Sequence, residues 1–240
     1  MSEAGKKESG CGRIIVLDTL RGLTIVSMVA FHAMFDYVYV YGNEAPWFFE
    51  GIFQSVWRCS ISWVFIALAG WMTMFSRNNA KRALKYAAAA LVVYVATSVT
   101  WVSTPISFGI IYCMAACTLA YVLLSPVLER LPHLGMAVLF AALFLATLGV
   151  PSHTYAIEGF AWLGFPSAGF YSGDYYPLLP YVFLYLAGVC ASKAVSRSSY
   201  PVWTSKDLCR PLTFLGRHSL LVYLIHQPLL IAAFELALPV

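Results

Sequence analysis

The chain has 240 residues, 60% hydrophobic and only 11% charged, with a mean hydropathy of +0.74. A soluble domain carries roughly 45–50% apolar and about 25% charged residues, so this composition excludes a soluble globular protein and requires lipid to cover much of the apolar surface. The net charge of +4 comes from 15 basic and 11 acidic residues and gives nucleic-acid binding no support. The six cysteines, Cys11, Cys59, Cys113, Cys117, Cys190 and Cys209, show no CxxC or Cys/His ligand spacing. They read as small buried hydrophobes, and no metal site is expected.

A hydrocarbon layer of about 30 Å needs about 20 apolar residues as helix. Seven stretches qualify: Leu20 to Tyr39, Phe53 to Phe75, Leu84 to Trp101, Ile106 to Leu124, Leu134 to Val150, Leu178 to Val195 and Ser219 to Leu238. Turn-forming clusters separate them, at Gly42 to Pro46, Ser103 to Pro105 and Pro126 to Pro132, with Pro177 and Pro180 at the sixth entrance. The expected fold is an all-α polytopic membrane protein, a bundle of about seven transmembrane helices. Residues 1–12 are expected to form a disordered cytoplasmic tail and 13–240 a single transmembrane domain.

Basic residues orient the bundle. Lys6, Lys7 and Arg13 precede the first span; Arg77, Lys81, Arg82 and Lys85 surround the second loop; Arg130 lies in the fourth; Lys193, Arg197, Lys206, Arg210 and Arg217 fill the sixth. All basic residues except Arg21 and Arg58 thus fall on one side, which predicts a cytoplasmic N-terminus and an extracytoplasmic C-terminus in the cell membrane. The basic N-terminal segment and the apolar run after it imitate a signal peptide. The run is long, carries charges and lacks a small-residue cleavage site, so it reads as a retained first helix.

Ionisable side chains inside a span are costly and mark function by default. At about 100° per residue, Asp18, Arg21, His32 and Asp36 fall within about 60° of one another on the first helix. At about 1.5 Å per residue their stripe extends about 27 Å, which crosses the membrane. A buried His beside a carboxylate is what a proton acceptor needs, although Asp18 with Arg21 and His32 with Asp36 also read as local structural pairs. The last span adds Arg217 and His218 at its start, then Tyr223, His226 and Gln227, with Pro228 freeing a backbone carbonyl near His226. Arg58 either snorkels outward or turns inward towards Asp36 or an anionic substrate. The fifth loop, Pro151 to Tyr176, contains Phe160, Trp162, Phe165, Phe170, Tyr171, Tyr175 and Tyr176 together with Glu158 and Asp174. Its aromatics serve either as an interfacial belt or as a surface for stacking a sugar.

Four segments carry a resemblance: Arg13 to Gly22 with His32 and Asp36; Phe108 to Cys113; Ser172 to Pro180; and Phe214 to Pro228. Together they resemble the bacterial proteins similar to heparan-alpha-glucosaminide N-acetyltransferase, within the wider transmembrane acyltransferase superfamily. The resemblance implies a cytoplasmic acyl-CoA donor, usually acetyl-CoA, used as co-substrate, and an acceptor sugar or lipid-linked sugar with an amine or hydroxyl on the far side. Arg21, with Arg217 or His218, would meet the CoA phosphates, and His32 would be the base or acyl carrier. Lysosomal relatives carry their proposed active-site His in the loop after the first helix. The corresponding segment here, Gly42 to Ile52, contains none.

The chemistry fits the residues without the name. Acyl transfer from a thioester needs a base, a cation to hold the donor and a hydrogen-bond donor aimed at the developing oxyanion. His32, Arg21 and either His226 or Tyr223 supply these, with Asp36 holding His32 as the acid does in a hydrolase triad. Asp36 and His226 complete the expected catalytic set, while Arg58, Asp174, Tyr175, Tyr223 and Gln227 join Arg21, Arg217 and His218 as expected substrate-binding residues. No GxSxG elbow, HExxH or phosphate-binding glycine loop is present. The competing reading is a proton-coupled transporter or flippase built on His32, Asp36 and His226. A homodimer is a further possibility.

Overall fold

In a computed structural model, residues 14–49, 51–99, 106–195 and 200–237 are described. The expected tail 1–12 with Lys6, Lys7 and Cys11 lies outside them, as do Arg13, Trp101, Ser103 to Pro105, Arg197 and Leu238. The described residues form an all-α fold: α1 (Ile15–Phe35), α2 (Pro46–Phe49), α3 (Gly51–Trp71), α4 (Asn79–Val99), α5 (Ile110–Leu128), α6 (His133–Thr147), α7 (Leu178–Ala194), α8 (Arg210–Arg217) and α9 (Ser219–Ala237). A π-helical turn, Asp36–Val40, extends α1, and a 3₁₀ turn, Met72–Phe75, extends α3.

Among the described residues, six segments are long and apolar enough to cross a membrane: Ile15–Val40, Gly51–Phe75, Asn79–Val99, Ile110–Leu128, His133–Ser152 and Ser219–Ala237. The seventh expected span, α7, has 17 residues, about 26 Å of helix, a few ångströms short of the hydrocarbon core. Its surroundings explain the shortfall. α7 packs against α3, α5 and α6 and buries Tyr185, Leu186, Val189 and Cys190, so protein covers much of what lipid would otherwise cover.

Side-chain partners fix the directions of the helices. Phe140 stacks on Phe183 and Phe144 meets Tyr181, so α6 and α7 are antiparallel. Thr118 bonds Tyr185 and Lys193 pairs with Glu129, so α5 runs parallel to α7. Trp57 donates to Ser27 while Arg21 reaches Met72, so α3 runs against α1. Alternation around the bundle therefore holds, and the described basic loop residues, Arg77 to Lys85, Arg130, Lys193 and Lys206 to Arg217, gather at one end.

Glycines permit the closest crossings. A Cβ on Gly22 would lie 1.9 Å from the Leu212 carbonyl oxygen, and one on Gly216 1.8 Å from that of Asp18. These two close the contact of α1 with α8. Gly70 and Gly188 play the same part between α3 and α7, where added Cβ atoms would lie 2.0 Å from Tyr185 O and 2.2 Å from Ala67 O. Small residues at a crossing let helix backbones approach where lipid gives no hydrophobic drive.

Candidate active site at the α1–α9 seam

α9 lies parallel to α1, and the stripe of four ionisable residues on α1 faces it and the preceding α8. Each member finds a partner there. At the basic end Asp18, fully buried, takes the Arg217 Nε at 3.5 Å. One turn on, Arg21 donates to the Ser219 hydroxyl and to Met72 Sδ at 3.1 Å. Deeper, the His32 and His226 rings meet edge to face with centroids 4.9 Å apart. Beyond them the Gln227 amide nitrogen donates to both Asp36 oxygens, at 3.1 and 2.9 Å. At the far end Tyr41 donates to Glu235 at 3.1 Å.

Asp36 therefore does not hold His32 as the sequence predicts; its carboxylate is taken up by Gln227. The π turn that begins at Asp36 widens the helix at this point, and such single turns concentrate at functional positions. His226 is anchored by its own helix, with Nδ1 2.6 Å from the Tyr223 carbonyl oxygen. Its Nε2 and the Gln227 Oε1 are buried without hydrogen-bond partners among the described residues. Buried polar atoms are almost always satisfied, so two orphans side by side on α9 call for a partner. Phe31 sets its edge against His32, and Phe48 and Trp57 pack on Phe31 to wall the site on the α3 side.

A second group approaches from the fifth loop. An Asp174 carboxylate oxygen accepts from the Ile110 amide at 3.4 Å, capping α5 beside Gly109. Burial pushes its carboxyl from 3.8 up to about 6, against the pull of the Ile110 amide and the Arg58 charge. Arg58 is exposed on α3 and within electrostatic reach of Asp174 and Tyr176, so its acidic neighbour is Asp174. Tyr223, buried on α9, also lies in the field of Asp174 and connects the loop with the helix that carries His226. Tyr175 donates to the Ala161 carbonyl at 2.7 Å, and burial together with Tyr155 pushes its hydroxyl up to about 12. The fifth loop is laced by its own backbone bonds, Tyr155 to Pro166, Leu178 to Trp162 and Leu179 to Leu163. Tyr171 remains 79% exposed at its surface.

At the basic end Arg217 and His218 are exposed, and the His218 ring rests on Phe214 with centroids 4.4 Å apart. Cys113 and Cys117 face each other inside α5 with sulfurs 3.7 Å apart, buried as expected. Sequence reasoning missed Ser219 and Met72 as the Arg21 partners and the Tyr223 carbonyl as the His226 anchor. The parallel course of α1 and α9, unreadable without the fold, is the signal that finds the first of these.

A family model described as heparan-alpha-glucosaminide N-acetyltransferase, catalytic, matches residues 13–228. The chain belongs to this family. Nothing among curated proteins or solved structures matches it. The heparan-alpha-glucosaminide N-acetyltransferase catalytic family is one of membrane acetyltransferases that use acetyl-CoA as donor in general, and its match covers both the α1 stripe and its partners on α8 and α9.

Proposed function

We propose that this family member transfers an acetyl group from cytoplasmic acetyl-CoA to an amine or hydroxyl of a sugar or lipid-linked sugar on the opposite side of the cell membrane. The observation that carries the reading is the His32–His226 contact inside the spanning helices, flanked by buried orphan acceptors. A pair of imidazoles at this depth places a base and a hydrogen-bond donor between two aqueous faces, where a thioester from one side meets a nucleophile from the other.

The remaining residues take roles by position. Arg217 and His218, exposed at the basic end, receive the CoA phosphates, and Arg21 with Ser219 forms the next rung inward. Arg58, Asp174, Tyr175 and Tyr223 belong to the acceptor side, where a carboxyl and a guanidinium in one another's field suit a polar head group. The positive-inside distribution of Lys and Arg supports a cytoplasmic basic end.

The test is release of CoA thiol from acetyl-CoA by the purified, detergent-solubilised protein with a panel of amino sugars and hydroxyl acceptors. Acceptor-dependent release that vanishes in the His32→Ala/His226→Ala double variant is expected. Absence of release and of acetyl-CoA binding in the wild type overturns the reading and favours proton-coupled transport through the same seam.

A further inference from the structure

The two histidines of the seam differ in how their rings are held. Nδ1 of His226 lies 2.6 Å from the Tyr223 carbonyl oxygen, which can only accept, so Nδ1 carries the hydrogen. In the neutral ring Nε2 is then a bare lone pair, and it is buried with no hydrogen-bond partner among the described residues. The His32 ring meets Phe31 and His226 edge to face, and among the described residues no hydrogen bond sets its tautomer. Beside them the Gln227 amide is oriented by its two bonds to Asp36, since only its nitrogen can donate to a carboxylate. Its Oε1 therefore points away from Asp36 as a second orphan acceptor.

Resting on the acetyl-transfer reading, we infer that His226 is the proton acceptor of the reaction and His32 the hydrogen-bond donor to the acetyl oxygen. Gln227 Oε1 takes a further hydrogen of the acceptor. As the acceptor amine or hydroxyl forms its bond to the acetyl carbonyl carbon, its proton passes to His226 Nε2. The carbon–sulfur bond then breaks, and the departing CoA sulfur takes that proton back. The products are the acetylated acceptor and CoA thiol, with His226 returned to its starting tautomer. The Tyr223 carbonyl does for His226 what a carboxylate does in a hydrolase triad: it fixes which nitrogen is free and supports the imidazolium formed in the step.

Two measurements test this, one of which needs no turnover. Nitrogen-15 spectra of histidine-labelled protein should show a ring protonated at Nδ1 with a bare Nε2 besides that of His218, whose Nδ1 also faces a carbonyl, that of Phe214 at 2.9 Å, and His226→Asn should erase that further signal. The Asn amide stands near the position of Nδ1 and keeps the bond to Tyr223, which guards the fold. A His226 signal protonated at Nε2 overturns the assignment whatever the activity. In the thiol-release assay His226→Gln and His226→Asn should lower kcat by about 100-fold or more, whereas His32→Gln, which retains an N–H donor, should lose less than about tenfold. The reverse order gives the base to His32 and overturns the inference. The expected tautomer without thiol release from any donor removes the acetyl-transfer reading, and the role of base falls with it.

Discussion

Gly216→Ala places a methyl group where the α8 backbone crosses α1. Its Cβ would stand 1.8 Å from the Asp18 carbonyl oxygen, 2.8 Å from the Asp18 carbonyl carbon and 2.9 Å from the Gly22 amide nitrogen. Ordinary contact begins near about 3.4 Å, so the two backbones must part by about 1.5 Å, and no side chain can rotate to relieve the clash. Overpacking of this kind costs about 1–3 kcal/mol, and a backbone-on-backbone clash belongs at the upper end. For a chain of this length about 3 kcal/mol corresponds to a fall in Tm of about 6–12 °C. Gly149→Ala, where an added Cβ meets nothing within 4 Å, should stay within about 2 °C of wild type. The assay is thermal unfolding in detergent followed by tryptophan fluorescence. Because α8 leads directly into α9, the same displacement should loosen the Arg217–Asp18 and Arg21–Ser219 rungs and lower acetyl transfer by about 100-fold. Equal melting temperatures for Gly216→Ala and Gly149→Ala would refute the reasoning.

Three further outcomes are expected. The Asp174 carboxyl sits at about 6 in the folded chain against an ordinary 3.8, so between these values the folded state holds more proton than the unfolded one. Wild-type stability should therefore fall as pH rises from about 4 to 6 and level off above, by at most about 3 kcal/mol before the screening of a partly exposed group is allowed for; Asp174→Asn should flatten that slope, and an unchanged slope in melting curves taken across this range refutes the desolvation of Asp174. Arg82→Lys loses the guanidinium bonds to the Ala69 carbonyl and the Tyr86 hydroxyl, at 2.8 and 3.1 Å, and the cation–π contact with Tyr86, so it should destabilise the α3–α4 junction by about 1.5–3 kcal/mol in denaturant titration. Asp36→Ala frees the Gln227 amide to turn and should raise the KM for the acceptor several-fold while leaving the KM for acetyl-CoA unchanged; an effect confined to the donor would refute the contact of Gln227 with the acceptor.

The α1 stripe was legible in the sequence because a helix has one period and a charge in lipid has few reasons to be there. Asp18, Arg21, His32 and Asp36 share a face by arithmetic, and all four do meet partners across one seam. The partners were only half legible. Arg217, His226 and Gln227 could be singled out as polar residues around an apolar helix, but pairing them with α1 needs the relative direction and register of two helices nearly the length of the chain apart. Local pattern also pointed to the wrong neighbour for Asp36: an i,i+4 carboxylate and imidazole invite pairing, yet the π turn at Asp36 and the parallel approach of α9 turn the carboxylate to Gln227. The bounds of α7 were legible to within one residue, Leu178 to Val195 against Leu178–Ala194, but what covers it was not. Hydropathy measures how apolar a segment is but not whether lipid or protein covers it, and α7 is apolar chiefly because three helices surround it.

The same limit applies to the base. The sequence reading makes His32 the base and His226 a hydrogen-bond donor, and the inference from the structure reverses the two, because the ranking rests on which ring nitrogen a backbone carbonyl holds. Pro228 follows His226 by two residues and has no N–H to give to the carbonyl four residues before it. Helix α9 is therefore short of one backbone bond beside its catalytic candidate, and one residue earlier the Tyr223 carbonyl takes the imidazole instead of serving the helix alone. A proline that reads in the sequence as a kink thus leaves the Leu224 carbonyl without its helical donor, next in sequence to the carbonyl that holds the His226 ring.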